Sequence, residues 1–194
     1  MTLLLRRSHL LVLAALVTTL VAALAIGTPA PAAHAMSPVD PYARYEPQTG
    51  CTGQTQPGTV ALGRQVTSRY GSRIIGYNRP CNQGGRSEHK DGRAFDWAID
   101  VNNGPQRQMF FRFMNEHMAT INGDHAARAR RLGIMYIIWD DAIYASWNQF
   151  RPQPYLNAAC TSVNTCSRTL RHLDHVHISM SWAGAKQQTT WWTG

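Results

Sequence analysis

A chain of 194 residues, 44% hydrophobic and only 15% charged, is long enough for one domain and too apolar for a disordered tail or a coiled coil. Its 19 basic and 11 acidic residues give a formal charge of +8, and 17 of the basic positions are arginine. Four cysteines are too few for a cysteine-rich miniature scaffold.

Residues 1–35 read as a secretory signal peptide outside the fold. Arg6 and Arg7 lead, Leu10 to Ile26 is an uncharged Ala/Leu/Val-rich stretch, and Ala33-His34-Ala35 supplies an A-x-A cleavage pattern. The stretch is at the lower length limit for a membrane span, and its small-residue exit favours cleavage over an anchor. Export makes disulfides expected. Of the three connectivities that four cysteines allow, proximity favours Cys51–Cys81 with Cys160–Cys166. The first would close a loop of about 30 residues, worth roughly 3–4 kcal/mol on a chain-entropy account. Without a C-x-x-C, a cysteine zinc site is set aside.

Residues 36–57, rich in Pro, Gly, Thr and Gln, form an extended lead-in pinned by Cys51, and a single domain spans 58–194. Val60, Leu62, Val66 and Tyr70 recur at helical spacing before Gly71. Arg73–Tyr77 is a short strand, 78–88 a loop, and Ala94–Val101 a strand. Pro105 opens a helix carrying Met109, Phe110, Phe113, Met114 and His117; Asp124 caps a second helical piece that Gly133 stops. Ile134–Trp139 and Ala142–Trp147 pair through the Asp140-Asp141 turn. A long irregular connection over 148–171 precedes a last strand, Asp174–Met180. This order implies an α+β domain with a central antiparallel sheet flanked by helices.

Arg128, Arg130 and Arg131 read as a solvated helix face, and no nucleic-acid motif accompanies them. Trp97, Trp139, Trp147 and Trp182 are candidates for a glycan groove or, more commonly for strand aromatics, for the core.

The chemistry concentrates in histidines. In Ser87-Glu88-His89-Lys90-Asp91-Gly92-Arg93-Ala94-Phe95-Asp96, Gly92 permits a tight turn that folds His89 back beside Asp96, and Ala94 leaves room on the same face. In His172-Leu173-Asp174-His175-Val176-His177, a strand puts His175 and His177 on one face about 7 Å apart, with Asp174 facing away from His175 if the strand is regular. His89, Asp96 and one of that pair would make a three-ligand site with an open position, the arrangement of catalytic zinc.

Ser87-x-His89-x-x-Gly92-x-Ala94-x-Asp96 fits every fixed position of the S-x-H-x-x-G-x-A-x-D motif of the LAS-type zinc peptidases, and His175-x-His177 resembles their closing motif. That group includes D-Ala-D-Ala carboxypeptidases and penicillin-insensitive murein endopeptidases, and the hedgehog signalling domain shares its fold. The resemblance implies Zn2+ held by His89, Asp96 and His177. It puts His175 in the place of the general base, where many members have a glutamate, with His172 sharing that role. Arg79, with Arg86 second, would stabilise the oxyanion, and Ser87 would hydrogen-bond within the ligand loop. It further implies a metallopeptidase acting on D-amino-acid-containing peptides of peptidoglycan. With the signal peptide and no nucleic-acid motif, the chain is expected to be a secreted monomer with no nucleic acid and, after cleavage, no membrane partner. Because the fold also serves a signalling domain, a non-catalytic zinc-containing module that binds cell wall or protein is the alternative. A hydrolase of another amide or ester is a third reading.

Overall fold

The computed structural model describes residues 38–194; the expected signal peptide lies outside them. No helix among the described residues is long and apolar enough to cross a membrane. Five α-helices and six strands follow in the order α1 (Pro57–Tyr70), β1 (Ile74–Gly76), β2 (Ala94–Trp97), α2 (Gly104–His117), α3 (Ala127–Leu132), β3 (Ile134–Trp139), β4 (Ala142–Ala145), β5 (Pro152–Pro154), β6 (Val176–Met180), α4 (Trp182–Ala185) and α5 (Thr190–Thr193). The strands form one antiparallel sheet in the order β1-β2-β6-β3-β4-β5. The α+β class and both expected disulfides, Cys51–Cys81 and Cys160–Cys166, are present.

Strand alternation sorts the sheet into two faces. Phe95 and Trp97 of β2, Ile137 and Trp139 of β3, and Val176 and Ile178 of β6 share one hydrophobic cluster with Leu62, Val66 and Tyr70 of α1 and with Phe110, Phe113 and Met114 of α2. Each such large apolar side chain contributes about 1.5–3 kcal/mol on burial. The intervening residues Asp96, His177 and Ser179 point to the opposite face, where Met135, Tyr136, Ile138 and Ala145 form a smaller cluster. β6 is the last strand in the chain but lies between β2 and β3, so its outward residues stand at the middle of the sheet.

Several sequence expectations shift. Asp124 does not cap α3: its backbone bridges to Ile121 and its carboxylate meets Arg130, while Ala126, with φ 53°, precedes the helix. The arginines beside it are paired rather than solvated: Arg128 with Glu116, Arg130 with Asp124, and Arg131 with the Thr190 hydroxyl. Trp97 and Trp139 do belong to the core, as expected of strand aromatics, whereas Trp182 lies under the Arg93 guanidinium and Trp147 is exposed. The long connection contains β5, an edge strand whose two prolines hide it from a propensity reading.

Candidate metal centre

The turn before β2 is built by its backbone. Lys90 N–H donates to Ser87 O, Asp91 N–H and Arg93 N–H to Glu88 O, and Gly92 N–H to His89 O. Gly92 adopts φ +73°, and a Cβ there would sit 1.9 Å from Gln54 O, so no side chain fits. Ser87 hydrogen-bonds within this turn through its carbonyl, which accepts from Lys90 N–H. Asp91 and Arg93, two further charged residues of the motif, are fully buried and structural. Asp91 accepts from the backbone N–H groups of Thr49 and Gly50 and from Arg93. Arg93 donates to Met180 O and Glu46 O. They tie the lead-in segment to the turn and the turn to β6.

The turn delivers His89 to the face where Asp96 and His177 stand opposite each other on β2 and β6. Three atoms converge: His89 Nε2 lies 3.1 Å from Asp96 Oδ1 and 3.1 Å from His177 Nδ1, and His177 Nδ1 lies 3.0 Å from Asp96 Oδ1. The outer nitrogen of each imidazole has its own partner. His89 Nδ1 is 3.1 Å from the Tyr77 carbonyl, and His177 Nε2 is 2.8 Å from Ser179 Oγ. A carbonyl only accepts, so His89 carries its proton on Nδ1 and turns a lone pair inward. With the His177 proton on Nε2, two lone pairs and a carboxylate oxygen meet with no proton between them. Such a donor set suits a cation, and the outer bonds hold each ring in the ligating tautomer. The separations match neighbouring ligand atoms about 2 Å from one ion. His89, Asp96 and His177 are thus a group able to hold a metal ion.

The electrostatics agree. Burial opposes charge on Asp96, but the adjacent His177 and His89 imidazoles outweigh it and hold the carboxyl well below its usual range. Burial also pushes His177 down, against the opposing pull of Asp96, which favours a neutral, ligating imidazole.

His175 stands beside the triad. Its Nε2 is 3.7 Å from Asp96 Oδ1, and its Nδ1 is 2.6 Å from Asp174 Oδ1. This corrects the expectation that Asp174 faces away: β6 begins only at Val176, so the chain at 174–175 is free of strand alternation. Thr169 Oγ1 donates to the other Asp174 oxygen at 2.6 Å. His172, with φ 53°, packs its ring 4.7 Å from His175 and 5.2 Å from Tyr155. Burial, then the neighbouring His177 and His175, push its pKa down to about 3, so it is neutral. Arg79 is partly exposed and makes no side-chain hydrogen bond or ion pair among the described residues; its charge acts on Tyr155. Arg86 is exposed, and its charge acts on Tyr45. His117 and His125 lie apart, the first bonded to Phe113 O and the second to Tyr42.

Sequence reasoning missed the support around this cluster. Tyr136 stacks on His177 with centroids 5.5 Å apart and an interplanar angle of 22°, and its hydroxyl donates to the buried Glu88. The pairings Tyr136–Ser179 and Ile138–His177 come from β3–β6 register, for which the sequence offers no local signal.

No curated protein and no solved structure matches the chain. The family model described as VldE, C-terminal domain, matches residues 51–158, which include His89 and Asp96 and stop before the 172–177 histidines. That match covers more than half of the sequence, and the chain belongs to the VldE C-terminal domain family.

Proposed function

We propose that the protein is a secreted zinc peptidase of LAS-type fold that hydrolyses peptide bonds in D-amino-acid-containing stem peptides of bacterial cell wall. The observation that carries this reading is the convergence of His89 Nε2, Asp96 Oδ1 and His177 Nδ1 within 3.1 Å of one another, beside a carboxylate-oriented histidine. The motif resemblance supplies the substrate class, and the disulfides are compatible with an extracellular setting.

His89, Asp96 and His177 would hold the ion. When bound, zinc supplies Lewis acidity toward water and a scissile carbonyl. His175 acts as the general base. Asp174 accepts its Nδ1–H, which leaves the Nε2 lone pair facing the triad, within reach of one water. That nitrogen takes the proton of the attacking water and returns it to the departing amine. Asp174 also stabilises the imidazolium that forms between those events. Arg79, uncommitted to any carboxylate among the described residues, offers its guanidinium to the developing oxyanion or a substrate carboxylate. His172 packs against His175 and fixes the ring's lateral position.

The test incubates the oxidised protein with purified peptidoglycan, with zinc and then with chelator, and reads the released fragments by mass spectrometry. Chelator-sensitive release of peptide fragments is expected, with loss of release in His175→Ala while zinc binding persists. Folded, zinc-loaded protein that binds wall and releases nothing would overturn the peptidase reading in favour of a binding module.

A further inference from the structure

Beside the triad, the same face of the sheet carries a cavity of about 260 Å³ lined by Tyr45, Tyr136, Ile138, Ile143, Trp147 and Tyr155. It is continuous with the candidate site through two rings: Tyr136 stacks on His177, and Tyr155 meets His172 edge-on. Ile138 and Ile143 are directly paired across β3 and β4 and supply an apolar lining. Tyr45 and Trp147 are 54% and 45% exposed, although both are large aromatics, and meet edge-to-face at 5.4 Å. The Tyr136 hydroxyl donates to Glu88, and that of Tyr155 accepts from the Asn157 amide. The Tyr45 hydroxyl and the Trp147 indole N–H have no hydrogen-bond partner among the described residues.

The lining itself carries no charged side chain; Arg79 and Arg86 act on Tyr155 and Tyr45 from outside it. Its walls join apolar ring faces to polar edges left open, a combination that suits a ligand apolar on its flat face and polar around its rim. A pyranose ring has that character: axial C–H groups on the face and hydroxyls at the edge. We propose that this cavity is a subsite for a neutral pyranose of the substrate, seated against Trp147 and Tyr45 and placing the attached peptide across the triad. This rests on the wall-polymer reading above and deepens it: the enzyme would recognise the glycan next to the peptide it cleaves.

The test measures binding of a neutral β-1,4-linked N-acetylglucosamine tetramer to the oxidised protein by titration calorimetry, with N-acetyl-leucine amide as an apolar side-chain probe. Saturable binding of the sugar is expected, weakened roughly tenfold or more in Trp147→Ala and in Tyr45→Ala. Both side chains are exposed, and unchanged thermal unfolding of the variants confirms that they fold. The proposal is overturned if the sugar does not bind, if neither variant weakens it, or if the leucine amide alone saturates the site. The same titration on His89→Ala separates the two readings: sugar binding persists there even if the peptidase assignment fails.

Discussion

Whether the triad holds a cation or is a bare hydrogen-bond cluster turns on where two protons sit. The Tyr77 carbonyl takes the outer proton of His89 outright, but Ser179 Oγ can donate as well as accept, so His177 is the softer of the two ligands. Ser179→Ala removes that partner without touching the triad, and the ring loses its orientation. Zinc affinity should fall by roughly 10–100-fold, as is typical when an outer partner of a ligating histidine is removed. Asp96→Ala should abolish stoichiometric binding, because it removes the only charge in the set. Competition with a chromophoric chelator measures both; affinity unchanged in Ser179→Ala would show that packing against Tyr136 alone orients His177. At this scale the sequence was informative where chemistry is local. The spacing of His89, Gly92 and Asp96, and of His175 and His177, already brought together His89, Asp96 and one of the histidine pair, and the motif resemblance named His177. Ser179, Tyr136 and Glu88 were invisible because their roles depend on cross-strand register.

Elements with long apolar periodicity were legible, and those shaped by tertiary contacts were not. α2 begins beside Pro105, and β3 occupies Ile134–Trp139, as the pattern implied. β6 is shorter than expected, and the strand expected over 94–101 ends at Trp97, because pairing partners, not propensity, set strand ends. The α2 contact with α1 contains a titratable group whose burial has a measurable consequence. His117 stacks on Phe113 at 4.2 Å and meets Tyr70 at 6.0 Å, and its Nδ1 donates to Phe113 O. Burial lowers its pKa to about 4, only partly opposed by that backbone bond and by Glu116, while Arg128 and Arg69 push it further down. The unfolded chain therefore binds a proton near pH 6.5 that the folded chain refuses until about pH 4. Stability from this residue is fully present above pH 6.5 and falls as the pH drops toward 4, by about 3 kcal/mol in all. His117→Leu should flatten the dependence of unfolding free energy on pH within that window by about this amount, read from urea titrations at several pH values. His172 titrates in the same direction in both proteins, so the difference in slope isolates His117. Equal slopes would place its ionisation elsewhere.

Across the whole molecule, the site depends on segments brought from far apart in the chain. His89 and His177 are separated by 88 residues, and the turn that carries His89 is anchored to the lead-in by Asp91 and Arg93. The disulfides reinforce the loops that flank this assembly, and they should not contribute equally. Cys51–Cys81 spans 30 residues and joins the lead-in to the loop of Arg79, whereas Cys160–Cys166 spans only 6 within one connection. On a chain-entropy account the first restricts the unfolded state more, worth about 3.6 kcal/mol against about 2.2 for the second. A Cys51→Ser/Cys81→Ser double variant should therefore unfold at lower denaturant than Cys160→Ser/Cys166→Ser. The triad residues belong to the turn, β2 and β6, whose bonds do not pass through either disulfide. Folded protein of both variants should then bind zinc as the parent does, while on the peptidase reading Cys51→Ser/Cys81→Ser alone should lower turnover, because the Arg79 loop then keeps only the Asn78 hydrogen bonds to Gly53 and Thr55 as its tie to the lead-in. Denaturant midpoints, zinc titration and the wall-fragment assay together separate these effects. Loss of zinc binding in the folded Cys51→Ser/Cys81→Ser variant would show that the covalent tie, and not the Asp91–Arg93 anchor, holds His89 over β2.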